Sequence, residues 1–455
     1  MAAIVGGKVA EKAESKKREK PQTGQRRRWV RWASLVFGVL LVVGASWFSL
    51  SRDAKISGLR NIIQYKVVKQ MGGPHVGYGE PPGTPSGTVR NSKGDAVPGA
   101  IVLVASPLGD TYEAETDSDG RYEIVNVPPG HYVPIAGKRG YSDAFSLRCA
   151  AGVCVKRSLT ARSGLQSRGV DFTLFPAALP EVIVDNSIVV STTTEVETSA
   201  PLPGRAKRTN FSFERAALRV NDCWLYEPVE GGGPFPTLLL VLPGPVLGWE
   251  IVPVPFAAQG YSVLACYPLR GTNIDGDVAD LLTALEYVRQ GRVPSRANTE
   301  RLGLIGASFT SLHAYRLLAL TDQVDVALML GGMANGLAFR HDVETGAAHP
   351  RAPFDQVLIA LGFPNTHPEL YFRYSTMFHL EGLPPLCLLH GREDELVPFN
   401  QGVMLDEELT RRGMPHEFHA YEGLSHYFST AADSATTQQM FKDSLDCLRR
   451  SLGGG

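Results

Sequence analysis

The sequence predicts a multidomain fold with an N-terminal transmembrane helix, a small antiparallel β-sandwich and a doubly wound, mostly parallel α/β sheet. Three observations predict it: a charge-free apolar segment near the N-terminus, a region of short alternating strands, and strands that alternate with helical stretches from residue 208 onward. A chain of 455 residues is long enough to bury two cores. Its net charge of -1 gives no basic field, so we expect no nucleic-acid partner.

The N-terminal region predicts a membrane anchor. Residues 1–31 form a basic tail, and residues 32–50 contain no charged side chain. This apolar segment is close to the ~20 residues that a helix needs to cross a bilayer. Basic residues ahead of it predict a cytoplasmic N-terminus and a single pass, with both folded domains outside the cytoplasm. A cleaved signal peptide, which would give a secreted protein, is the alternative; the long basic region favours an uncleaved anchor.

Composition divides the rest of the chain into four parts. Residues 51–84 are predicted to be a stalk or linker that ends in a run of Gly and Pro. Residues 85–176 contain short strands separated by Gly, Pro, Asn and Asp, which predicts the β-sandwich. Residues 177–207, rich in Thr, Val, Ser and Pro, are predicted to be a connector, and residues 208–455 are predicted to form the α/β domain.

A series of turn and strand motifs carries a family resemblance in the sandwich. Gly87-Thr-Val, Ala100-Ile-Val-Leu, Thr116-Asp-Ser-Asp-Gly-Arg-Tyr and Val127-Pro-Pro-Gly-His-Tyr follow one another in this order. This series resembles the carboxypeptidase regulatory-like, transthyretin-like domain. The resemblance implies a seven-stranded accessory or binding module without catalytic residues of its own, so a glycan or protein ligand is the expectation.

The cysteine pattern fits an export compartment. Cys149 and Cys154 flank a short loop and are candidates for a disulfide, whereas Cys266 and Cys387 lie in apolar strands and are predicted to be buried, unpaired side chains. The sequence has no Cys-x-x-Cys pair, which argues against structural zinc. His341 and Glu344 have the spacing of zinc ligands, but without a recognisable third ligand we interpret them as a surface coincidence. We expect no metal and no cofactor.

A candidate nucleophile lies in Gly306-Ala307-Ser308-Phe309-Thr310. The small residues ahead of Ser308 permit a sharp turn from a strand into a helix, which exposes the serine hydroxyl beside the positive end of the helix dipole. Thr310 stands where the usual pentapeptide has Gly. We expect its branched side chain to crowd the packing of helix on strand without touching the chemistry.

The two partners that a serine nucleophile needs follow downstream. Asp394 lies in a loop after an apolar strand, with Glu393 and Glu395 as less favoured substitutes. His426 lies in a turn after the next strand. The order Ser308, Asp394, His426 is typical of the α/β-hydrolase fold.

These three elements, with the early strands Thr237-Leu-Leu-Leu-Val-Leu and Tyr261-Ser-Val-Leu-Ala-Cys-Tyr, resemble an α/β-hydrolase. The resemblance is to the group of esterases, dienelactone hydrolases and prolyl-oligopeptidase-like enzymes. It implies that Ser308, Asp394 and His426 form a catalytic triad acting through an acyl-enzyme. Two other histidines, His313 and His390, are interpreted as structural.

The oxyanion hole is predicted from the same motifs. One donor is the backbone N–H of Phe309, the residue after the nucleophile. The loop expected to supply the second donor contains two prolines, Pro243 and Pro245, which have no N–H. Gly244 and Val246 are therefore the candidates for the second donor.

Three functions remain open on the sequence. The favoured one is a membrane-anchored, extracytoplasmic serine hydrolase that cleaves a carboxylic ester, on a small molecule or linked to a polymer. A prolyl-oligopeptidase-like serine peptidase is the enzymatic alternative, although the sequence lacks the repeats of a propeller. A catalytically inactive scaffold that binds a glycan or protein is the third, favoured by the proline-rich loop and Thr310 and opposed by the complete triad.

Overall fold

The computed structural model describes residues 54–74, 76–150, 153–215, 218–241, 249–268, 273–350 and 358–453. The predicted tail and the predicted transmembrane segment lie outside these residues. Among the residues described, no helix is both long and apolar enough to cross a membrane. The chain forms two compact units, residues 1–60 and residues 61–455.

The predicted stalk contains a helix, α1 (Ala54–Gln70). From residue 61 onward this helix contacts the rest of its unit: the Asn61 side-chain amide donates to the Ala360 carbonyl at 2.7 Å, and the Tyr65 ring packs on Phe363 with ring centroids 5.7 Å apart. The C-terminal half of α1 is therefore docked on the rest of its unit.

Strands from residue 84 to residue 174 build a β-sandwich region. One sheet has the order β11-β1-β12 with β4 on β1, the other has the order β3-β2-β6-β7, and two antiparallel strand pairs, β10-β5 and β8-β9, accompany them. The strands are β1 (Thr84–Asn91), β2 (Ile101–Ala105), β3 (Thr111–Glu115), β4 (Arg121–Glu123), β5 (Gly130–Tyr132), β6 (Ile135–Gly137), β7 (Ala144–Phe145), β8 (Leu147–Ala150), β9 (Val153–Lys156), β10 (Leu159–Ala161), β11 (Gln166–Ser167) and β12 (Phe172–Leu174).

The sandwich is not purely antiparallel, which corrects the sequence expectation. Strand β1 pairs in parallel with β12, with Val89 opposite Phe172, and in parallel with β11. The first and last strands of the region therefore lie side by side and run in the same direction. Alternating polarity predicts that a strand is half-buried, but it carries no information about which distant strand lies beside it.

The C-terminal region is built on a ten-stranded sheet with the order β13-β15-β16-β18-β17-β19-β20-β21-β22 and β14 on β15. Strands β17 to β22 are parallel to their neighbours, and β16 joins this group antiparallel to β18. The strands are β13 (Val189–Val190), β14 (Thr194–Thr198), β15 (Gly204–Arg215), β16 (Leu218–Pro228), β17 (Phe235–Val241), β18 (Ser262–Cys266), β19 (Ala297–Ala307), β20 (Val326–Leu330), β21 (Leu386–Gly391) and β22 (His416–Tyr421).

Helices cover both faces of this sheet. Helices α3, α4 and α7 contribute to the core on one face, and α2 and α8 contribute to the core on the other. The fully buried runs of β17, β18 and β20 follow from this double cover. The helices are α2 (Pro253–Ala258), α3 (Ile274–Arg289), α4 (Ser311–Leu320), α5 (Gly336–Thr345), α6 (Pro368–Tyr374), α7 (Asn400–Arg411) and α8 (Ala435–Leu452).

The sheet begins earlier in the chain than the sequence indicated. Strands β13 and β14 and the start of β15 lie within residues 177–207, the predicted connector, and β13 and β14 each pair antiparallel with β15. Thr and Val are common in β-strands, so the composition of this segment fits strands at the edge of a sheet as well as it fits a linker. The chain enters the α/β region at Val189, ahead of residue 208.

All six cysteines form disulfides: Cys149–Cys154, Cys223–Cys266 and Cys387–Cys447. The first matches the candidate pair, whereas the prediction that Cys266 and Cys387 are unpaired was wrong. Cys223 and Cys266 are direct partners in the register of β16 and β18. A pairing across neighbouring strands depends on sheet register, which the spacing of cysteines along the chain does not reveal.

Candidate active site

Ser308 lies in a tight turn between a buried strand and a helix. Strand β19 ends at Ala307, a single 3-10 turn spans Ser308–Thr310, and α4 begins at Ser311. The φ angle of Ser308 is 52°, in the left-handed region that a residue with a Cβ seldom adopts. Such strain persists only where the surroundings enforce it, and it is frequent at functional sites. It holds the serine hydroxyl out of the sheet edge, as the sequence predicts.

Two neighbours of Ser308 make this turn possible. A Cβ on Gly306 would lie 2.7 Å from the Cβ of Ala314 and 2.9 Å from the Cα of Ser311, so only glycine lets α4 approach the strand this closely. Thr310 is fully buried, and its hydroxyl donates to the Ala307 carbonyl at 2.8 Å and accepts from the Ala307 N–H at 3.3 Å. Instead of merely crowding the packing, Thr310 ties the turn to the strand end.

Ser308, His426 and Asp394 meet at the carboxyl edge of the sheet. The distance from Ser308 Oγ to His426 Nε2 is 2.8 Å, and His426 Nδ1 lies 3.0 and 2.9 Å from the two carboxylate oxygens of Asp394. Because an ionised carboxylate only accepts hydrogen bonds, Nδ1 carries the proton and Nε2 accepts from the serine hydroxyl. This is the tautomer that removes a proton from a nucleophile.

Asp394 is held by more groups than the sequence indicated. Its Oδ1 accepts from the backbone N–H groups of Leu396 at 3.0 Å and Val397 at 2.8 Å, and its side chain is 3% exposed. Burial by itself raises the pKa of Asp394, but hydrogen bonds from His390 and His426 outweigh it and lower the pKa to about 2. Asp394 therefore remains a carboxylate at any pH at which the protein would work.

His390 is a neighbour of the site that sequence reasoning interpreted only as structural. Its Nε2 lies 3.0 Å from the Val397 carbonyl and 3.4 Å from Asp394 Oδ2, and the residue is 2% exposed. The spacing of four residues between His390 and Asp394 across the loop was the signal for this contact. It is a second imidazole partner of the acid, beside His426.

The two glutamates beside Asp394 serve the histidine loop. Glu393 accepts from the backbone N–H of Gly423 at 2.7 Å, and Glu395 accepts from the backbone N–H of His426 at 3.1 Å. They fix the loop that carries His426, whereas Asp394 alone among the three contacts the imidazole in the described region. The sequence-based choice of Asp394, over Glu393 and Glu395, as the acid that orients the histidine agrees with this geometry.

The remaining candidates lie elsewhere. Phe309, the predicted first oxyanion donor, occupies the middle of the 3-10 turn. Gly244 and Val246, the predicted second donors, lie outside the described residues, so that assignment remains a prediction. His313 is fully buried, with Nε2 3.3 Å from Asp277 Oδ2 on α3. This contact joins α4 to α3.

The zinc-like pair also has other partners. His341 Nδ1 lies 2.9 Å from Asp110 Oδ1, and Glu344 forms an ion pair with Arg340 at 2.6 Å. The two side chains of the motif thus contact different partners.

Two protein families match the chain. Residues 85–174 match the carboxypeptidase regulatory-like domain, and residues 268–453 match the prolyl oligopeptidase family. The predicted resemblance to both is confirmed. Together with the sheet, these matches define the class: a multidomain protein with a β-sandwich-like region and an α/β-hydrolase-like domain. No curated protein sequence matches the chain.

Solved structures similar to the chain include both peptidases and esterases. An acylaminoacyl peptidase from Pyrococcus horikoshii shows 15% identity and a TM-score of 0.45 over 78% of this chain and 62% of its own. A thermophilic esterase from the planctomycete Thermogutta terrifontis shows 18% identity and a TM-score of 0.41, over 53% of this chain and 90% of its own. A bacterial heroin esterase shows 15% identity and a TM-score of 0.40, over 59% of this chain and 85% of its own. The chain thus spans less than two thirds of the peptidase.

Proposed function

We propose that the protein is a carboxylesterase that cleaves its substrate through an acyl-enzyme on Ser308. The single observation that carries the proposal is the unbroken line of hydrogen bonds from Ser308 Oγ through His426 to Asp394. His426 Nε2 takes the serine proton as Oγ attacks the carbonyl carbon of the ester. Asp394, which stays ionised, stabilises the imidazolium that forms.

The second half of the reaction uses the same groups. His426 returns its proton to the departing alcohol, and the acyl group remains on Ser308. A water molecule that gives a proton to His426 then attacks the acyl carbon, and release of the acid restores the serine hydroxyl. In both halves the oxyanion accepts a hydrogen bond from the backbone N–H of Phe309. We propose that it accepts a second one from the N–H of Gly244 or Val246.

A serine peptidase is the second candidate, and the match to the prolyl oligopeptidase family is the observation that favours it. The two candidates share the triad and differ in the leaving group. An alkoxide or phenoxide leaves more readily than an amine, so ester turnover alone does not separate them. The separating measurement is the ratio of ester to amide turnover for one and the same acyl group.

The test compares p-nitrophenyl acetate and butyrate with the p-nitroanilides of the same acids and of Ala and Gly-Pro. A carboxylesterase turns over the esters, with no anilide hydrolysis above the Ser308→Ala background. Preferential hydrolysis of an aminoacyl or Gly-Pro anilide would replace the proposal with the peptidase. If folded protein turns over none of these substrates, the third hypothesis, a catalytically inactive binding scaffold, would remain.

We also propose that both folded domains lie outside the cytoplasm, held by residues 32–50 or secreted if that segment is cleaved. The basic residues ahead of the apolar segment support the orientation. The disulfides Cys149–Cys154, Cys223–Cys266 and Cys387–Cys447 support an oxidising compartment. In intact spheroplasts that express the full chain, external protease should digest the hydrolase domain, and a domain protected until lysis would contradict the orientation.

A further inference from the structure

The β-sandwich packs directly against the helices that lie beside the candidate active site. A shared core joins four of its side chains to four from residues 333–383, and Phe372 on α6 is fully buried there. A Cβ on Gly137 of the sandwich would lie 2.5 Å from Phe372 Cε1, so the Phe372 ring packs directly on the backbone of Gly137. The shared core consists of Ile101, Leu103, Ala105, Ile135, Leu337, Tyr371, Phe372 and Phe378.

An ionic chain runs from this interface into the hydrolase domain. Arg373 on α6 donates to both carboxylate oxygens of Asp143 in the sandwich, at 2.8 and 2.9 Å. Its Nη1 also lies 3.4 Å from Asp275 on α3, and Asp275 accepts from Arg316 on α4 at 2.6 Å. Burial lowers the pKa of Arg373, but Asp143 and Asp275 outweigh it and raise that pKa further above its ordinary range. One sandwich carboxylate thus orients a guanidinium on α6, and Asp275 on α3 connects that guanidinium to Arg316 on α4.

An apolar cavity lies directly beside this chain. Ile274 precedes Asp275 and Tyr374 follows Arg373, and both line the cavity. Phe309, the residue after Ser308, lines it as well, so the cavity adjoins the nucleophile turn. Its other lining residues include Leu312, Met333 and Phe339.

The polar atoms around the cavity are occupied. The Ser375 hydroxyl donates to the Tyr371 carbonyl and accepts from the Gly336 N–H at 2.8 Å, and the Tyr371 hydroxyl donates to the Gly362 carbonyl at 2.9 Å. No charged side chain lines the cavity in the described part of the chain. An occupant must therefore be uncharged and apolar, since a charged group would be buried there without a partner.

We propose that this cavity receives an aliphatic acyl chain of the substrate, and that the sandwich sets acyl-chain selectivity because Asp143 positions Arg373 and thereby α6. The inference rests on the proposed serine esterase function. Asp143 touches no reacting atom, so it acts as a positioning residue. Misplacement of a binding wall by about 1 Å is enough to change turnover substantially.

The test measures kcat and KM for p-nitrophenyl acetate, butyrate and octanoate with Asp143→Asn and Asp143→Ala. The acetyl group is too short to fill the cavity, whereas the octanoyl chain depends on its walls. We expect the octanoate to acetate ratio of kcat/KM to fall at least about fivefold, chiefly through KM, with acetate altered less than about twofold. Asp143→Glu, which retains the charge, should recover part of the ratio.

Two further variants separate selectivity from general destabilisation. Glu115→Gln removes a different ion pair between the regions, Arg412 Nη2 to Glu115 at 2.6 Å, and should leave the ratio unchanged. Ile274→Phe narrows the cavity and should lower octanoate turnover more than acetate turnover.

The outcomes are distinct. If the wild type is active but Asp143→Asn leaves the octanoate to acetate ratio of kcat/KM unchanged, the inference is overturned and the proposed function stands. The same holds if Glu115→Gln lowers that ratio as much as Asp143→Asn does. Preserved octanoate preference in Ile274→Phe overturns the cavity assignment. A wild type without ester turnover overturns the proposed function and this inference with it.

Discussion

Replacement of Asp394 by asparagine tests both the chemistry and the electrostatics of the site. Asp394 Oδ1 accepts two backbone N–H groups, from Leu396 and Val397, and these fix the orientation of the side chain. In Asp394→Asn the amide oxygen takes that position, so the NH₂ group faces His426 Nδ1. Two donors cannot share one hydrogen bond, and the imidazole must move its proton to Nε2.

A protonated Nε2 no longer accepts the Ser308 proton. We therefore expect kcat for p-nitrophenyl butyrate to fall on the order of 10⁴-fold with little change in KM, as in other triads whose histidine has the wrong tautomer. Circular dichroism should show an unchanged fold. A variant that retains more than about one tenth of the wild-type kcat would refute the assigned role of Asp394.

The same substitution has a calculable effect on stability. Lowering the Asp394 pKa from 3.8 to about 2 corresponds to about 2 kcal/mol of stability in the ionised state. Since the folded pKa is the lower one, this contribution is complete above pH 3.8 and is lost as pH falls through about 2. Asp394→Asn lacks it at every pH.

Urea denaturation from pH 7 to pH 2.5 measures this difference. The gap in free energy of unfolding between wild type and Asp394→Asn should be widest at neutral pH and should narrow below pH 4. Asp446→Asn, which changes a carboxylate that is 57% exposed, provides the control and should show almost no gap. A gap that stays constant down to pH 2.5 would refute the electrostatic reasoning.

Three further predictions concern the frame around the triad. Gly306→Ala forces a Cβ to 2.7 Å from that of Ala314 and should cost about 1–3 kcal/mol with a fall in kcat, whereas Gly232→Ala, in open space, should be neutral by the same urea and ester assays. Thr310→Val leaves the buried Ala307 carbonyl without its hydroxyl donor and should lower the free energy of unfolding by about 1–3 kcal/mol; an equally stable variant would show that the hydroxyl is dispensable. Removal of Cys223–Cys266, with a sequence separation of 43, should cost about 4 kcal/mol, and removal of Cys149–Cys154, with a separation of 5, about 2 kcal/mol. Calorimetry of the two double Cys→Ser variants should rank them in that order.

The meeting of Ser308, His426 and Asp394 was predictable from the sequence because each of them carries a local signal. Ser308 follows small residues at the end of an apolar strand, and Asp394 and His426 lie in turns after the later strands β21 and β22. Parallel strands place such turns at one edge of the sheet, so their proximity follows from the fold class. The regular alternation of strands and helices is also a local signal, and it predicted that fold class.

What the sequence did not reveal depends on contacts between distant segments. Cys223 finds Cys266 only through the register of β16 and β18, and β1 lies beside β12 only once the sandwich has closed. The ion pair of Asp143 with Arg373 spans 230 residues. Neither residue has a local pattern that marks it, so docking of the sandwich beside the site required the structure.

The central claim is that Ser308 is an activated nucleophile, and active-site labelling tests it most directly. A fluorophosphonate probe followed by peptide mass spectrometry should label wild-type protein on Ser308. Labelling should be absent in Ser308→Ala, be strongly slowed in His426→Gln, and persist in Asp143→Asn. Folded wild-type protein that takes up no probe, or a Ser308→Ala variant that is labelled equally well, would contradict the account.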